Sequence, residues 1–180
     1  MAFSSGNDFE RVVETLFTMA GSCVRKTDPP VRVLGRTGSG FKGVFLKPGC
    51  LDFEGGFHGF FCGFDAKTCA GDRFSMRRIE GHQMERMEEI AADGGFTGAI
   101  IQYEEPGAGS EVIFLVPYRT ILALLADGAR SITRTTALHL TDDKLQNRCY
   151  QLDRYNFDLF EAVLAAELAR VMEERKLTQQ

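Results

Sequence analysis

The sequence predicts an α/β protein with a central mixed β-sheet flanked by helices, and three observations carry that reading. Amphipathic helical patterns stand near both ends of the chain, over Phe9 to Phe17 and Phe157 to Met172. Short apolar runs broken by Gly and Pro fill the stretch from Val24 to Cys69, the texture of strands and turns. A further helical segment then separates these from two more apolar runs, so the order reads α-β-β-β-α-β-β-α.

Ser4-Ser5-Gly6-Asn7-Asp8 offers several side chains able to cap a helix start. Phe9, Val12, Val13, Leu16 and Phe17 follow at helical spacing, and Gly21 ends the run. Glu10 and Glu14 lie one turn apart on another face. The β-like stretch is punctuated by Asp28-Pro29-Pro30, by the glycines from Gly35 to Gly43, by Pro48-Gly49 and by Gly55-Gly56. Within it, Leu51-Asp52-Phe53 reads as a strand, Gly55-Gly56 as a turn and Phe60 to Lys67 as the returning strand. A helix is expected over Arg78 to Ala92, stopped by Gly94-Gly95. Gly98 to Tyr103 and Glu111 to Val116 read as two strands joined through Glu105-Pro106-Gly107-Ala108-Gly109, and a short helix, Thr120 to Ala126, follows Pro117. Phe157, Phe160, Val163, Leu164, Leu168, Val171 and Met172 mark the last helix. With no repeat or linker, residues 1–180 are expected to form a single domain.

No apolar run approaches the roughly 20 residues that span a bilayer, so no membrane partner is expected. The first ten residues lack a basic stretch followed by an apolar one, so a cytoplasmic location is the expectation. Cys23, Cys50, Cys62, Cys69 and Cys149 are odd in number and contain no C-x-x-C pair, which favours free thiols over a zinc site. A formal charge of -4 argues against a basic surface overall and leaves room for a local basic face. Gly38-Ser39-Gly40-Phe41-Lys42-Gly43 fits G-x-G-x-x-G, but the β-like Val44-Phe45-Leu46 follows where a helix is required. No Gly-Lys-Ser/Thr completes a P-loop, so no nucleotide cofactor is expected.

Chemistry concentrates in Leu51-Asp52-Phe53-Glu54-Gly55 and Phe64-Asp65-Ala66-Lys67. Residues two apart on a strand share a face, so Asp65 and Lys67 point the same way, and hairpin pairing can add Asp52. Two carboxylates and an ammonium at one spot suit phosphodiester hydrolysis: the carboxylates hold Mg²⁺ or Mn²⁺ and the lysine steadies water or transition-state charge. Spacing alone leaves a solvated salt-bridge face open as the alternative, although the apolar flanks Leu51, Phe53 and Phe64 are unusual for one.

In order along the chain stand Gly6-Asn7-Asp8-Phe9-Glu10, Arg25-Lys26-Thr27-Asp28-Pro29-Pro30, Asp52-Phe53-Glu54-Gly55, Phe64-Asp65-Ala66-Lys67-Thr68, Ile79-Glu80-Gly81-His82-Gln83, Phe114-Leu115 and Arg130-Ser131-Ile132. Each piece is weak, but together the series resembles the RecU family of Holliday-junction resolvases, also described as penicillin-binding-protein-related factor A, within the PD-(D/E)XK nucleases. The resemblance implies a restriction-endonuclease-like core and Mg²⁺-dependent cleavage of branched, four-way DNA in recombination and repair, by a symmetric homodimer. It implies Asp52 and Asp65 as metal ligands and Lys67 as the catalytic lysine. Glu10 would complete the site, and Gln83 would orient a ligand, water or phosphate. A plain helix-start charge is the other reading of Glu10, and a structural role is expected for His82. Two departures stand out: Asp65 replaces the commoner Glu, and Leu51 replaces a frequent hydroxyl residue.

Between Val24 and Lys47 the basic residues Arg25, Lys26, Arg32, Arg36, Lys42 and Lys47 face the single acid Asp28, which makes this segment the expected DNA footprint. In RecU relatives the corresponding segment is a stalk entering the junction centre, which would make residues 32–47 a basic, Gly-rich stalk with its tip at Gly35 to Gly43. A flexible solvated loop is the bland alternative. Two functional alternatives also stay open: a sequence-specific or repair endonuclease acting on linear duplex, and a non-catalytic DNA-binding accessory protein.

Overall fold

The computed structural model describes residues 6–27, 31–38, 40–45, 51–104, 111–142, 149–153 and 156–178. In chain order the elements are α1 (Gly6–Met19), β1 (Arg25–Lys26), β2 (Val31–Thr37), β3 (Gly40–Phe45), β4 (Phe53–Phe57), β5 (Phe60–Ala70), β6 (Arg73–Ser75), a 3-10 turn (Met76–Arg78), α2 (Gly81–Ala92), β7 (Phe96–Glu104), β8 (Glu111–Pro117), α3 (Tyr118–Ala126), β9 (Ser131–Thr133), α4 (Arg134–Asp142), β10 (Tyr150–Leu152) and α5 (Phe157–Thr178). The central sheet has six strands in the order β1-β4-β5-β7-β8-β10. Only β5 and β7 run parallel, joined by the crossover that contains α2, so the sheet is mixed as expected.

Side-chain alternation divides the core between the two sheet faces. Phe64, Phe96, Ile100 and Leu115 pack with Phe9, Val13, Leu16 and Phe17 of α1 and with Phe160 and Leu164 of α5. Ala99, Ile101, Phe114 and Val116 pack with Met87 and Ile90 of α2 and Ile121 of α3. Strand β7 is therefore buried from Phe96 to Tyr103, the pattern of a strand covered on both faces. Phe17 anchors one face, with ring centroids 5.9 Å from Phe53 and 5.1 Å from both Phe64 and Phe160. Each such pair adds about 0.5–1.5 kcal/mol beyond its area, enough to fix α1 against the hairpin. Among the described residues no helix is long and apolar enough to cross a membrane.

Several expectations are corrected. Gly55-Gly56 lies inside β4, and the hairpin turns instead at His58-Gly59, where Phe57 pairs with Phe60. Both turn residues have positive φ, 49° and 85°, the geometry whose twist matches a two-residue hairpin. Gly55 is needed for closeness: a Cβ there would stand 2.3 Å from the Cys23 carbonyl oxygen. Helix α2 starts at Gly81 rather than Arg78, because Met76–Arg78 forms a separate 3-10 turn and Glu80 caps the helix anew. Strands β2 and β3 pair antiparallel, with a register shift between Val33 and Gly35, so the described parts of the Gly-rich segment are extended ribbon. The β6–β9 pair, α4 and β10 have no counterpart in the sequence reading. Among the described residues Cys23, Cys62, Cys69 and Cys149 are free thiols, and Cys50 lies outside them.

Candidate active site

The β4–β5 register brings Asp52, Asp65 and Lys67 together. Phe53 pairs with Phe64, so the positions just before and just after that pair, Asp52 and Asp65, face each other at the mouth of the hairpin. The Asp52 carboxylate is held there by the neighbouring strand, because the Ala66 N–H donates to Oδ2 at 2.8 Å. Phe64 belongs to the face under α1 and α5, so the alternating Asp65 and Lys67 point to the face under α2.

Asp65 is fully buried, and three groups set its state. Lys67 Nζ donates to Oδ1 and forms an ion pair with Oδ2, both at 2.9 Å. Gln83 Nε2, from the first turn of α2, donates to Oδ1 at 2.7 Å. Loss of water pushes the Asp65 carboxyl up to about 7, while the Lys67 ammonium pulls it down and Asp52 pushes it further up. The other end of the Gln83 amide is occupied too, since the Glu80 N–H donates to Oε1 at 2.9 Å.

Helix α2 is fixed over this cluster by a fork that the sequence reading missed. Arg86 donates from Nε and Nη2 to the two carboxylate oxygens of Glu54, each at 3.0 Å, and from Nη1 to Glu89 at 2.9 Å. Gln83 and Arg86 are one turn apart, so the clamp on β4 holds Gln83 over β5. The Glu80-x-x-Gln83 spacing was a readable capping signal, whereas the Glu54–Arg86 pair spans 32 residues and leaves no local one. His82 stays at the surface, with Nδ1 3.4 Å from Glu80 Oε2.

Glu10 meets the hairpin from the other side. Helix α1 packs on the Phe53 and Phe64 face, and Glu10 Oε2 lies 2.6 Å from Lys26 Nζ. Lys26 in turn pairs in register with Phe53, so both sit at the sheet edge beside Asp52. Arg25 donates to the carbonyls of Ser22 and Val24, at 3.1 and 2.8 Å. Those bonds spend one guanidinium nitrogen on the chain's own backbone. Arg32 and Arg36 lie on β2 and Lys42 on β3, with Arg36 opposite Phe41 and Lys42 opposite Gly35; Lys47 lies outside the described residues.

The donor set suits a small hard cation. Asp65 Oδ2 is buried and accepts no hydrogen bond of normal geometry, although Lys67 lies 2.9 Å away as an ion partner. Among the described residues no three His, Cys, Asp or Glu side chains form a ready-made cage. One or two carboxylates completed by water and substrate phosphate is how Mg²⁺ is commonly held, so Asp52 and Asp65 fit.

Comparison with known proteins adds a family. The model of the RecU family, described as Recombination protein U, matches residues 17–156. Proteins called Holliday junction resolvase RecU from two strains of Limosilactobacillus reuteri, DSM 20016 and JCM 1112, are each 29% identical over 96 residues. These matches cover 51% of this chain and 45% of each relative, so the chain spans about half the length of the curated relatives it matches. Among solved structures, Hjc from Archaeoglobus fulgidus, a Holliday junction resolvase, aligns with a TM-score of 0.37 and 18% identity, over 63% of this chain and 78% of that one.

Proposed function

This chain belongs to the RecU family, Recombination protein U, and from that premise we propose that it is a divalent-metal-dependent endonuclease that cleaves four-way DNA junctions. The observation that carries the chemistry is the buried Asp65 carboxylate, held between Lys67 and Gln83 and facing Asp52 across the hairpin. The names of the two lactobacillar relatives support the substrate class.

In this reading Asp52 and Asp65 hold Mg²⁺, with Mn²⁺ as a substitute. The bound cation supplies polarisation of a phosphoryl oxygen and acidification of a water molecule. Asp65 presents its unbonded Oδ2 and is kept in one rotamer by Gln83. Lys67, largely shielded from solvent and aligned beside Asp65, places positive charge where a scissile phosphate gathers negative charge. Glu10, paired with Lys26, borders the site from the α1 side and completes it. The basic ribbon β2–β3 supplies phosphate contacts through Arg32, Arg36 and Lys42. Residues 1–180 act as one nuclease domain, in the cytoplasm, as a homodimer suited to paired nicks on opposed strands and without a nucleotide cofactor.

The test is cleavage of branched DNA with and without Mg²⁺ by the parent chain and by Asp52→Asn. The parent should cut only with metal, and Asp52→Asn should bind DNA yet lose cleavage by on the order of 10²-fold or more. Equal cleavage by the two proteins would remove Asp52 and Asp65 from the site.

A further inference from the structure

We propose that Glu80 is a positioning residue for the metal site, acting through its backbone N–H, which dictates the end of the Gln83 amide that faces Asp65. The inference rests on the reading of Asp52 and Asp65 as cation ligands, and it adds a residue that makes no contact with either of them.

The argument is one of donors and acceptors. A glutamine amide has an accepting end and a donating end, and reversal exchanges them with little change in shape. Gln83 is buried, and its two ends meet partners that each serve one purpose. The Glu80 N–H can only donate, and it meets Oε1 at 2.9 Å. The Asp65 carboxylate, once ionised as a cation ligand must be, can only accept, and its Oδ1 meets Nε2 at 2.7 Å. With the N–H in place, reversal would set Nε2 against a donor and Oε1 against a buried carboxylate, so one orientation survives. The Glu80 side chain closes the capping box by accepting the Gln83 backbone N–H. A single residue at the start of α2 thus anchors both the backbone and the side chain of Gln83.

The backbone permits a test that separates these two roles. Glu80 has φ -74° and ψ 158°, and Ile79 before it has φ -83° and ψ 111°, values that proline and a residue preceding proline adopt without strain. Glu80→Pro deletes the N–H and the side-chain cap, whereas Glu80→Ala deletes only the cap. The difference between these variants reports the N–H alone.

The probe is Mn²⁺ binding to the full chain by isothermal titration calorimetry at fixed pH. Glu80→Ala should bind within about threefold of the parent, and Glu80→Pro about 10–100-fold more weakly, the usual cost of losing an outer partner of a metal ligand. Gln83→Met should match Glu80→Pro, and adding Glu80→Pro to Gln83→Met should cost nothing more. Equal affinities for Glu80→Pro and Glu80→Ala would overturn the proposal. Asp52→Asn serves as the control: if it binds Mn²⁺ as the parent does, the metal reading itself fails and this inference falls with it. A metal-free measurement decides even if the proline variant does not fold. In the labelled parent protein, a scalar coupling across the hydrogen bond should link the Glu80 amide nitrogen to the Gln83 side-chain carbonyl carbon. Its absence would also overturn the proposal.

Discussion

At Asp65 the folded protein holds a carboxyl that keeps its proton up to about pH 7, where the ordinary value is 3.8. Burial is the main cause, with Asp52 adding repulsion and Lys67 compensating in part. The sign of the consequence follows from proton counts. Between about pH 4 and 7 the folded state binds more protons than the unfolded state, so stability falls as pH rises through that window and levels off above it. At 1.36 kcal/mol per unit, the fall amounts to roughly 4 kcal/mol at most. Urea unfolding of metal-free protein at pH 5 and pH 8 should show this loss, and Asp65→Asn should flatten it; an unchanged slope would acquit Asp65. Adding Mg²⁺ at pH 8 should restore stability to the parent and much less to Asp65→Asn, since the cation takes the place of the proton. Asp65 and Lys67 were legible in the sequence because strand periodicity puts them on one face, and Asp52 joins them through the hairpin register that pairs Phe53 with Phe64. Glu54 and Arg86 were not, because a pair 32 residues apart acquires meaning only when α2 lies on the hairpin.

Elements that repeat a period were readable, and those that close on distant partners were not. Helices α1 and α5 and the β4–β5 hairpin announce themselves through apolar spacing. Strands β6, β9 and β10 have three residues each, too few for a period-two pattern to register. The buried Glu167 of α5 is another long-range feature: it is bound by Arg119 of α3 and Tyr150 of β10, with Arg119 Nη2 at 2.6 Å from Oε1. This cluster ties three elements together far from the hairpin in sequence. Glu167→Ala removes the buried carboxylate that binds the partly exposed Arg119 and Tyr150, and should cost about 1–3 kcal/mol by chemical denaturation. Mn²⁺ affinity of the folded fraction should stay at the parental value; a large loss of affinity would mean that α5 helps to shape the metal site. Gly55→Ala probes the sheet edge, because its Cβ would collide with the backbone at Cys23 and Val24. A loss of roughly 1–3 kcal/mol is expected. Amide exchange should rise first at Cys23 and Thr27, whose N–H groups bond to Gly56 and Asp52.

Across the whole molecule, a chain of net charge -4 that binds DNA as proposed would have to concentrate its contacts, and the segment from Val24 to Lys47 holds six basic residues against one acid. Two of the six, Arg25 and Lys26, turn part of their charge inward, to backbone carbonyls and to Glu10. On the proposed function, the other four, Arg32, Arg36, Lys42 and Lys47, carry most of the footprint. Replacing Arg36 and Lys42 together by Ala should weaken junction binding and lower the log–log salt slope by about 1 per lost phosphate contact. If the ribbon is the stalk that the family resemblance implies, four-way DNA should suffer more than linear duplex, since only the junction offers it an open centre, and equal losses would make the ribbon a general phosphate anchor. On the proposed function, this footprint and the Asp52–Asp65–Lys67–Gln83 cluster serve one activity, a metal-dependent cut placed by DNA shape. Its most direct test is a nicking assay with Mg²⁺ on a synthetic four-way junction beside a linear duplex of the same sequence. The parent chain should place paired nicks in the junction and spare the duplex, and Asp65→Asn should do neither. Equal cutting of both substrates, or undiminished junction cleavage by Asp65→Asn, would contradict the account.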